Sequence, residues 1–299
     1  MTIACCYVSP EGVVFGADST SSYGLAGGPH YFNHAQKIFE IGQDSRLAIM
    51  TWGHGSLGAV SYRTIIAGLA DDLATNPPSS VADAMTRWIK IFGAHWAKYA
   101  AMPAMKPAFD ACIAYSKRPP CTGGVPVKGQ LTPQEDAHFQ HLMRVLTAGF
   151  CIGGYVLPDR TPAACFVHFD PLNMSPTASP IAMLEYEFWG APNMIRRLLY
   201  GADDETRNVI LHSGHWTGSD ADLDAVLAQQ RLAHPIIPLR DVVDFVHSCI
   251  FSTIKGLKFS HMPQICGGPI ELAVVSSDRN FRWVRHKNWD AAVVDGVQP

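Results

Sequence analysis

The chain has 299 residues, with 23 Lys and Arg against 26 Asp and Glu and a formal net charge of −3. That balance leaves no basic footprint for nucleic acid, and no apolar run is long enough to span a bilayer. With 47% hydrophobic residues the chain can bury a sizeable core.

The N-terminus lacks a charged segment followed by an apolar one, so no signal peptide is expected and the location expected is cytoplasmic. The eight cysteines are irregularly spaced, and Cys5, Cys6, Cys151 and Cys249 lie in apolar runs. They are expected to be reduced core thiols and not a disulfide framework.

Residues 3–9 and 12–17 are short apolar runs separated by Pro10-Glu11-Gly12, which predicts an opening β-hairpin. Residues 20–34 are rich in Ser, Gly and His and predict a loop. A second hairpin is expected over Lys37–Ile41 and Leu47–Thr51, turning at Gly42-Gln43-Asp44. A helix is predicted over 56–74, ending before Asn76-Pro77-Pro78. Ser80 is a good N-cap with Asp83 three residues on, and Met85, Trp88, Ile89, Phe92, Trp96 and Tyr99 follow at helical spacing. That aromatic stripe is expected to be core packing.

Residues 102–132 carry five prolines and predict a long irregular excursion. Thr132-Pro133-Gln134-Glu135 predicts a capping box opening a short helix. A third hairpin is expected over 148–157 and 163–169, then a strand at 183–189, a helix near 193–201 and one from Ser219 to about Ala233. A strongly apolar helix over 239–257 precedes two closing strands at 270–276 and 281–286. With no internal repeat and no clean linker, one domain over 1–299 is expected. Strands alternating with helices in this order suggest two packed antiparallel sheets with helices outside, an α+β arrangement.

Residue 2 is a threonine, small enough for an aminopeptidase to remove Met1 before it. Thr2 would then carry a hydroxyl nucleophile and a free α-amine that can act as its own base. The other constellations are weaker. His212 with His215, and His138 with His141, lack a third metal ligand at a telling distance. Gly27-Gly28 has no Lys-Ser/Thr after it to make a phosphate cradle. No metal and no cofactor is expected.

The N-terminal segment resembles the N-terminal-nucleophile (Ntn) hydrolases, most of all proteasome β-type subunits, the HslV peptidase and their bacterial relatives. The residues that carry the resemblance are Thr2 at the first strand, Gly16-Ala17-Asp18-Ser19 after the second, and Gln36-Lys37-Ile38-Phe39-Glu40-Ile41. Thr51-Trp52-Gly53-His54-Gly55, the runs 150–155 and 166–171, and Cys266-Gly267-Gly268 extend it. The resemblance implies a four-layer αββα sandwich, with insertions near 100–147 and 203–235. It also implies a catalytic set of Thr2, Asp18, Lys37 and Gly53. Lys37 would lower the pKa of the α-amine, Asp18 would hold Lys37, and the Gly53 amide would stabilise the oxyanion.

Three departures stand out. Gly190-Ala191-Pro192-Asn193 has no serine where the family carries one, Pro263 falls where an aspartate is expected, and Cys266 takes a serine's place. Ser260 and His261 are candidate substitutes. The implied function is a threonine-type peptidase acting on peptides or unfolded proteins inside a homo-oligomeric ring, with an ATPase partner left open and neither nucleic acid nor membrane as a partner. The alternatives are an inactive structural ring subunit, or an amidase or acylase acting on a small molecule.

Overall fold

The computed structural model describes residues 2–25, 28–120, 128–229, 231–232, 236–261 and 265–287. The opening hairpin forms as expected, β1 (Ile3–Ser9) pairing antiparallel with β2 (Gly12–Ala17). The predicted loop at 20–34 is instead a hairpin of its own, β3 (Ser21–Leu25) with β4 (Gly28–Phe32). Its backbones pair, and Ser22, His30, Tyr31 and Phe32 are exposed, so no alternation of buried and exposed residues marked it at these positions.

Two strands follow, β5 (Ile38–Glu40) and β6 (Leu47–Gly53). Helix α1 (Tyr62–Thr75) starts later than predicted, because Leu57 and Val60 form an isolated bridge and Ser61 caps the helix on the Arg63 amide. Helix α2 (Val81–Ala100) begins at the expected Ser80 cap. The excursion expected to be irregular contains helix α3 (Lys106–Ser116), with a proline in its first turn, where the missing N–H costs nothing. Helix α4 (Pro133–Val145) carries the predicted capping box.

Strands β7 (Ala148–Gly154) and β8 (Ala163–Phe169) make the expected hairpin, and β9 (Ser179–Ile181) was not foreseen. Strand β10 (Tyr186–Gly190) leads into α5 (Asn193–Tyr200). Helix α6 (Asp204–His212) was also not foreseen, and α7 (Asp220–Ala228) is shorter than predicted. Helix α8 (Leu239–Lys258) and strands β11 (Glu271–Ser276) and β12 (Arg279–Arg285) complete the described chain.

Residues group into two compact units, one of 1–38, 183–274 and 282–299, the other of 39–182 and 275–281. One five-stranded sheet has the order β10-β1-β2-β11-β12, the other β5-β6-β7-β8-β9. In the first unit, Ile3, Cys5, Tyr7, Val14, Tyr186 and Phe188 pack with Val242, Val246, Cys249 and Ile250 of α8. Gly16 lets α8 come close, since a Cβ there would lie 2.5 Å from Val246 Cγ1 and 2.6 Å from Ile250 Cδ1.

In the second unit, the stripe on α2 is core as expected. Trp88, Phe92 and Trp96 are wholly buried, and Phe92 sits 4.4 Å from the Phe150 ring and 4.7 Å from the Phe169 ring. The seven described cysteines are all free and buried. No helix among the described residues is long and apolar enough to cross a membrane.

Trp88 stacks on Phe92 and meets Phe150 edge-on. Trp88→Ala removes those contacts and leaves a cavity, so it should cost about 3–5 kcal/mol of stability. Denaturant unfolding should show this as a lowered midpoint.

Candidate active site around Asp18 and Lys37

Asp18 leaves the end of β2 with no exposed surface, and Lys37 is 5% exposed just before β5. Lys37 Nζ donates to Asp18 Oδ1 at 2.6 Å and to the Thr20 carbonyl at 2.7 Å. The Ile3 N–H donates to the same Oδ1 at 3.1 Å. Lys37 and the peptide that follows Thr2 therefore share one carboxylate oxygen, within two hydrogen-bond lengths of each other. Asp18 Oδ2 accepts from Thr20 N–H at 3.1 Å and from Gly267 N–H at 2.9 Å. Burying two charges is costly unless they are paired and their remaining lone pairs filled, and here both conditions are met.

The surrounding backbone is tied into the same point. Asp18 N–H donates back to the Ile3 carbonyl at 3.1 Å, so Ile3 is held by both its polar groups. Ser19 N–H reaches the Gly267 carbonyl at 3.0 Å, and the Ser19 hydroxyl reaches the Pro269 carbonyl at 2.7 Å. Thr20 Oγ1 donates to Asn33 Oδ1 at 2.9 Å, and Ala35 N–H donates to the Ser19 carbonyl at 2.9 Å.

Thr2 itself is buried, at 4% exposure. Gly190, at φ +86°, closes β10 against it, and a Cβ there would fall 1.8 Å from the Thr2 carbonyl oxygen. Met1 and Pro263, on which two sequence readings depend, lie outside the described residues.

Cys266 is wholly buried, and burial pushes its thiol up to about 12. The Asp18 carboxylate adds to that rise and Lys37 opposes it. A neutral thiol thus stands in the position read as a serine's. Ser260, one candidate substitute, donates its hydroxyl to the Leu257 carbonyl at the end of α8, and His261 is exposed.

Of the four residues expected to be catalytic, Asp18 and Lys37 meet, with Thr2 one residue from their shared contact. Gly53 belongs to the second unit, at the end of β6 with φ +79°. Its backbone approaches Thr147 so closely that a Cβ would sit 2.2 Å from that carbonyl oxygen. Sequence reading missed the Thr20 carbonyl, the Gly267 amide donor and the close fit of Gly190. The first two are backbone groups with no side-chain signature. The paired histidines have ordinary partners: His138 Nδ1 lies 3.1 Å from the Tyr115 hydroxyl, and His212 Nδ1 2.8 Å from the Asn208 carbonyl. Among the described residues no three metal-ligating side chains come together.

No family model matches the chain, and no curated protein matches it. Among solved structures it is similar to an Anbu (Gly-1) mutant from Hyphomicrobium sp. strain MC1, at 12% identity and a TM-score of 0.48, over 96% of this chain and 86% of that one. It is also similar to Anbu (ancestral beta-subunit) from Yersinia bercovieri, at 11% identity and a TM-score of 0.45, over 94% of this chain and 86% of that one. Likenesses this faint assign no activity.

Asp18→Asn leaves the Lys37 ammonium buried without its counter-charge, and breaking such a pair costs about 3–5 kcal/mol. The variant should unfold at clearly lower denaturant than the parent. Gly190→Ala must either move the start of β1 or abandon its backbone angle, and it should lower the melting temperature by several degrees.

Proposed function

We propose that this protein is a hydrolase of the Ntn type, with Thr2 as its nucleophile once Met1 is removed. The observation that supports the reading best is the buried Lys37–Asp18 pair, tied through one carboxylate oxygen to the residue after Thr2. An ordinary strand lysine would extend into solvent. This one is held beside the chain start, where its charge can act on a newly freed α-amine.

The proposed chemistry makes use of that placement. The Thr2 α-amine takes the hydroxyl proton as Thr2 Oγ1 attacks an amide carbonyl. The nearby Lys37 cation disfavours a second positive charge and so keeps the amine unprotonated near neutral pH. The Gly53 amide is the proposed oxyanion donor, carried over from the resemblance. The tetrahedral adduct collapses to a Thr2 ester as the protonated α-amine gives its proton to the leaving amine. Water, deprotonated by the same α-amine, then hydrolyses the ester.

The reading includes a four-layer αββα sandwich over a single domain, a homo-oligomeric ring, and peptides or unfolded proteins as substrates. A second reading, an inactive structural subunit of the same fold, draws on the neutral Cys266 thiol and on Ala191 and Pro192 in place of a serine.

Intact-protein mass spectrometry with a peptide epoxyketone tests both. That reagent closes a ring only with an amine and a hydroxyl on one residue. Loss of Met1 and a single adduct on Thr2 are expected. Thr2→Ala should abolish the adduct and turnover with the fold intact, and Lys37→Ala should come close to that. A free Thr2 that never labels moves the protein to the structural reading, and normal turnover by Thr2→Ala rules out the mechanism.

A further inference from the structure

The turn that carries Gly53 is clamped to the C-terminal end of α4, a helix inside the 100–147 segment that reads as an insertion. The last four carbonyls of any α-helix have no partner within the helix. Here the His54 side chain supplies one: its Nδ1 lies 3.0 Å from the carbonyl of Val145, the last residue of α4. A carbonyl can only accept, so Nδ1 carries the proton. The His54 backbone N–H donates to the Thr147 carbonyl at 2.7 Å, the same oxygen that Gly53 approaches. The His54 carbonyl accepts from the Tyr62 hydroxyl at 2.7 Å, while Nε2 is buried with no hydrogen-bond partner among the described residues.

One residue thus joins α1, α4 and the end of β6. Its ring lies 5.2 Å from that of Tyr99 and 6.1 Å from that of Trp96, so it is also held by packing. Burial keeps the imidazole below its ordinary pKa, against the pull of the Val145 and Ser56 carbonyls, so the neutral Nδ1–H form persists near pH 7.

Helix α4 is itself anchored at both ends. At its start Glu135 closes the capping box with Thr132 and accepts from Arg118 Nη1 at 2.7 Å and Nη2 at 3.0 Å. At its end the Thr147 hydroxyl folds back onto the Met143 carbonyl at 2.6 Å. The carbonyls offered to His54 therefore come from a fixed frame.

We infer that His54 is a positioning residue that locks the Gly53 amide by capping α4, which makes the 100–147 segment part of the reaction's machinery and not an appendage. The inference rests on the oxyanion role proposed above for Gly53. An oxyanion donor works only when its N–H is aimed before the charge develops, so loosening the turn should slow chemistry and leave substrate binding alone.

The test uses the full chain with the N-terminus verified as Thr2, and measures kcat and KM on a fluorogenic peptide amide for His54→Leu, His54→Asn and Tyr62→Phe. Circular dichroism and melting temperature establish that each variant is folded. Losing one oxyanion donor costs about 100-fold or more in kcat, so a misaimed one should cost His54→Leu about 10-fold, with KM within about two-fold. An Asn amide places an N–H at about the reach of Nδ1, so His54→Asn should recover most of the rate. Tyr62→Phe keeps the ring and loses one bond, so a smaller fall in kcat is expected, and it provides a reading if His54→Leu does not fold.

Unchanged kcat in His54→Leu, a rise confined to KM, or no recovery in His54→Asn overturns the positioning role while wild-type turnover keeps the hydrolase reading standing. If Tyr62→Phe must stand in for an unfolded Leu variant, parental kcat in Tyr62→Phe overturns it equally. A wild-type protein that neither labels at Thr2 nor turns over removes the hydrolase reading, and the inference with it.

Discussion

The candidate site depends on burying one carboxylate and one ammonium together. Neither Asp18 nor Lys37 could be buried alone, since an unpaired charge in the interior costs several kcal/mol. Together they are tolerated only while the two oxygens of Asp18 are filled by Lys37 and by the N–H groups of Ile3, Thr20 and Gly267. That requirement selects one arrangement of the start of β1, the exit of β2, the approach to β5 and the loop before β11. Any slip in one of these segments strands a buried polar group. The same network that stabilises the pair therefore sets where Thr2 lies.

The sheets make that arrangement possible. Every residue of β1 and β2 is buried, and these strands read as near-continuous apolar runs and not as alternating ones. Close approach is bought with glycine at two kinds of place. Gly16 has an ordinary backbone angle and is small so that α8 can sit on the sheet. Gly53 and Gly190 have positive φ and let one backbone press on another, at Thr147 and at Thr2 respectively. At the second kind of place a backbone angle and a backbone contact both require glycine, while at the first only the packing of a core does.

Much of the element order was legible because local signals and burial agreed. The Pro10-Glu11-Gly12 turn between apolar runs marked β1 and β2, and the Ser80 cap followed by the aromatic stripe marked α2. Where local signals misled, the reason is specific. Proline density over 102–132 suggested irregular chain, yet one proline falls in the first turn of α3, where a helix accepts it. Helix α6 has no fully buried residue to mark a face, although its Asp203 cap on Thr206 N–H was readable. The β3–β4 hairpin pairs along its main chain, and Ser22, His30, Tyr31 and Phe32 are exposed, so no alternation announced it at those positions.

By itself the sequence determined which side chains could do chemistry here. Thr2, Asp18 and Lys37 were visible as a hydroxyl, a carboxylate and a cation near the first hairpins, and the resemblance to Ntn hydrolases grouped them as a candidate set. Tertiary structure alone decided what Asp18 holds besides Lys37. Its partner Gly267 lies 249 positions away in the chain, and that contact and the one with Ile3 are made by backbone N–H groups. Nearly every residue carries such a group, so no residue type marks the one that will be used. The clamp of His54 on Val145 is equally silent in the sequence, because it joins a side chain to a carbonyl whose only distinction is that a helix ends there.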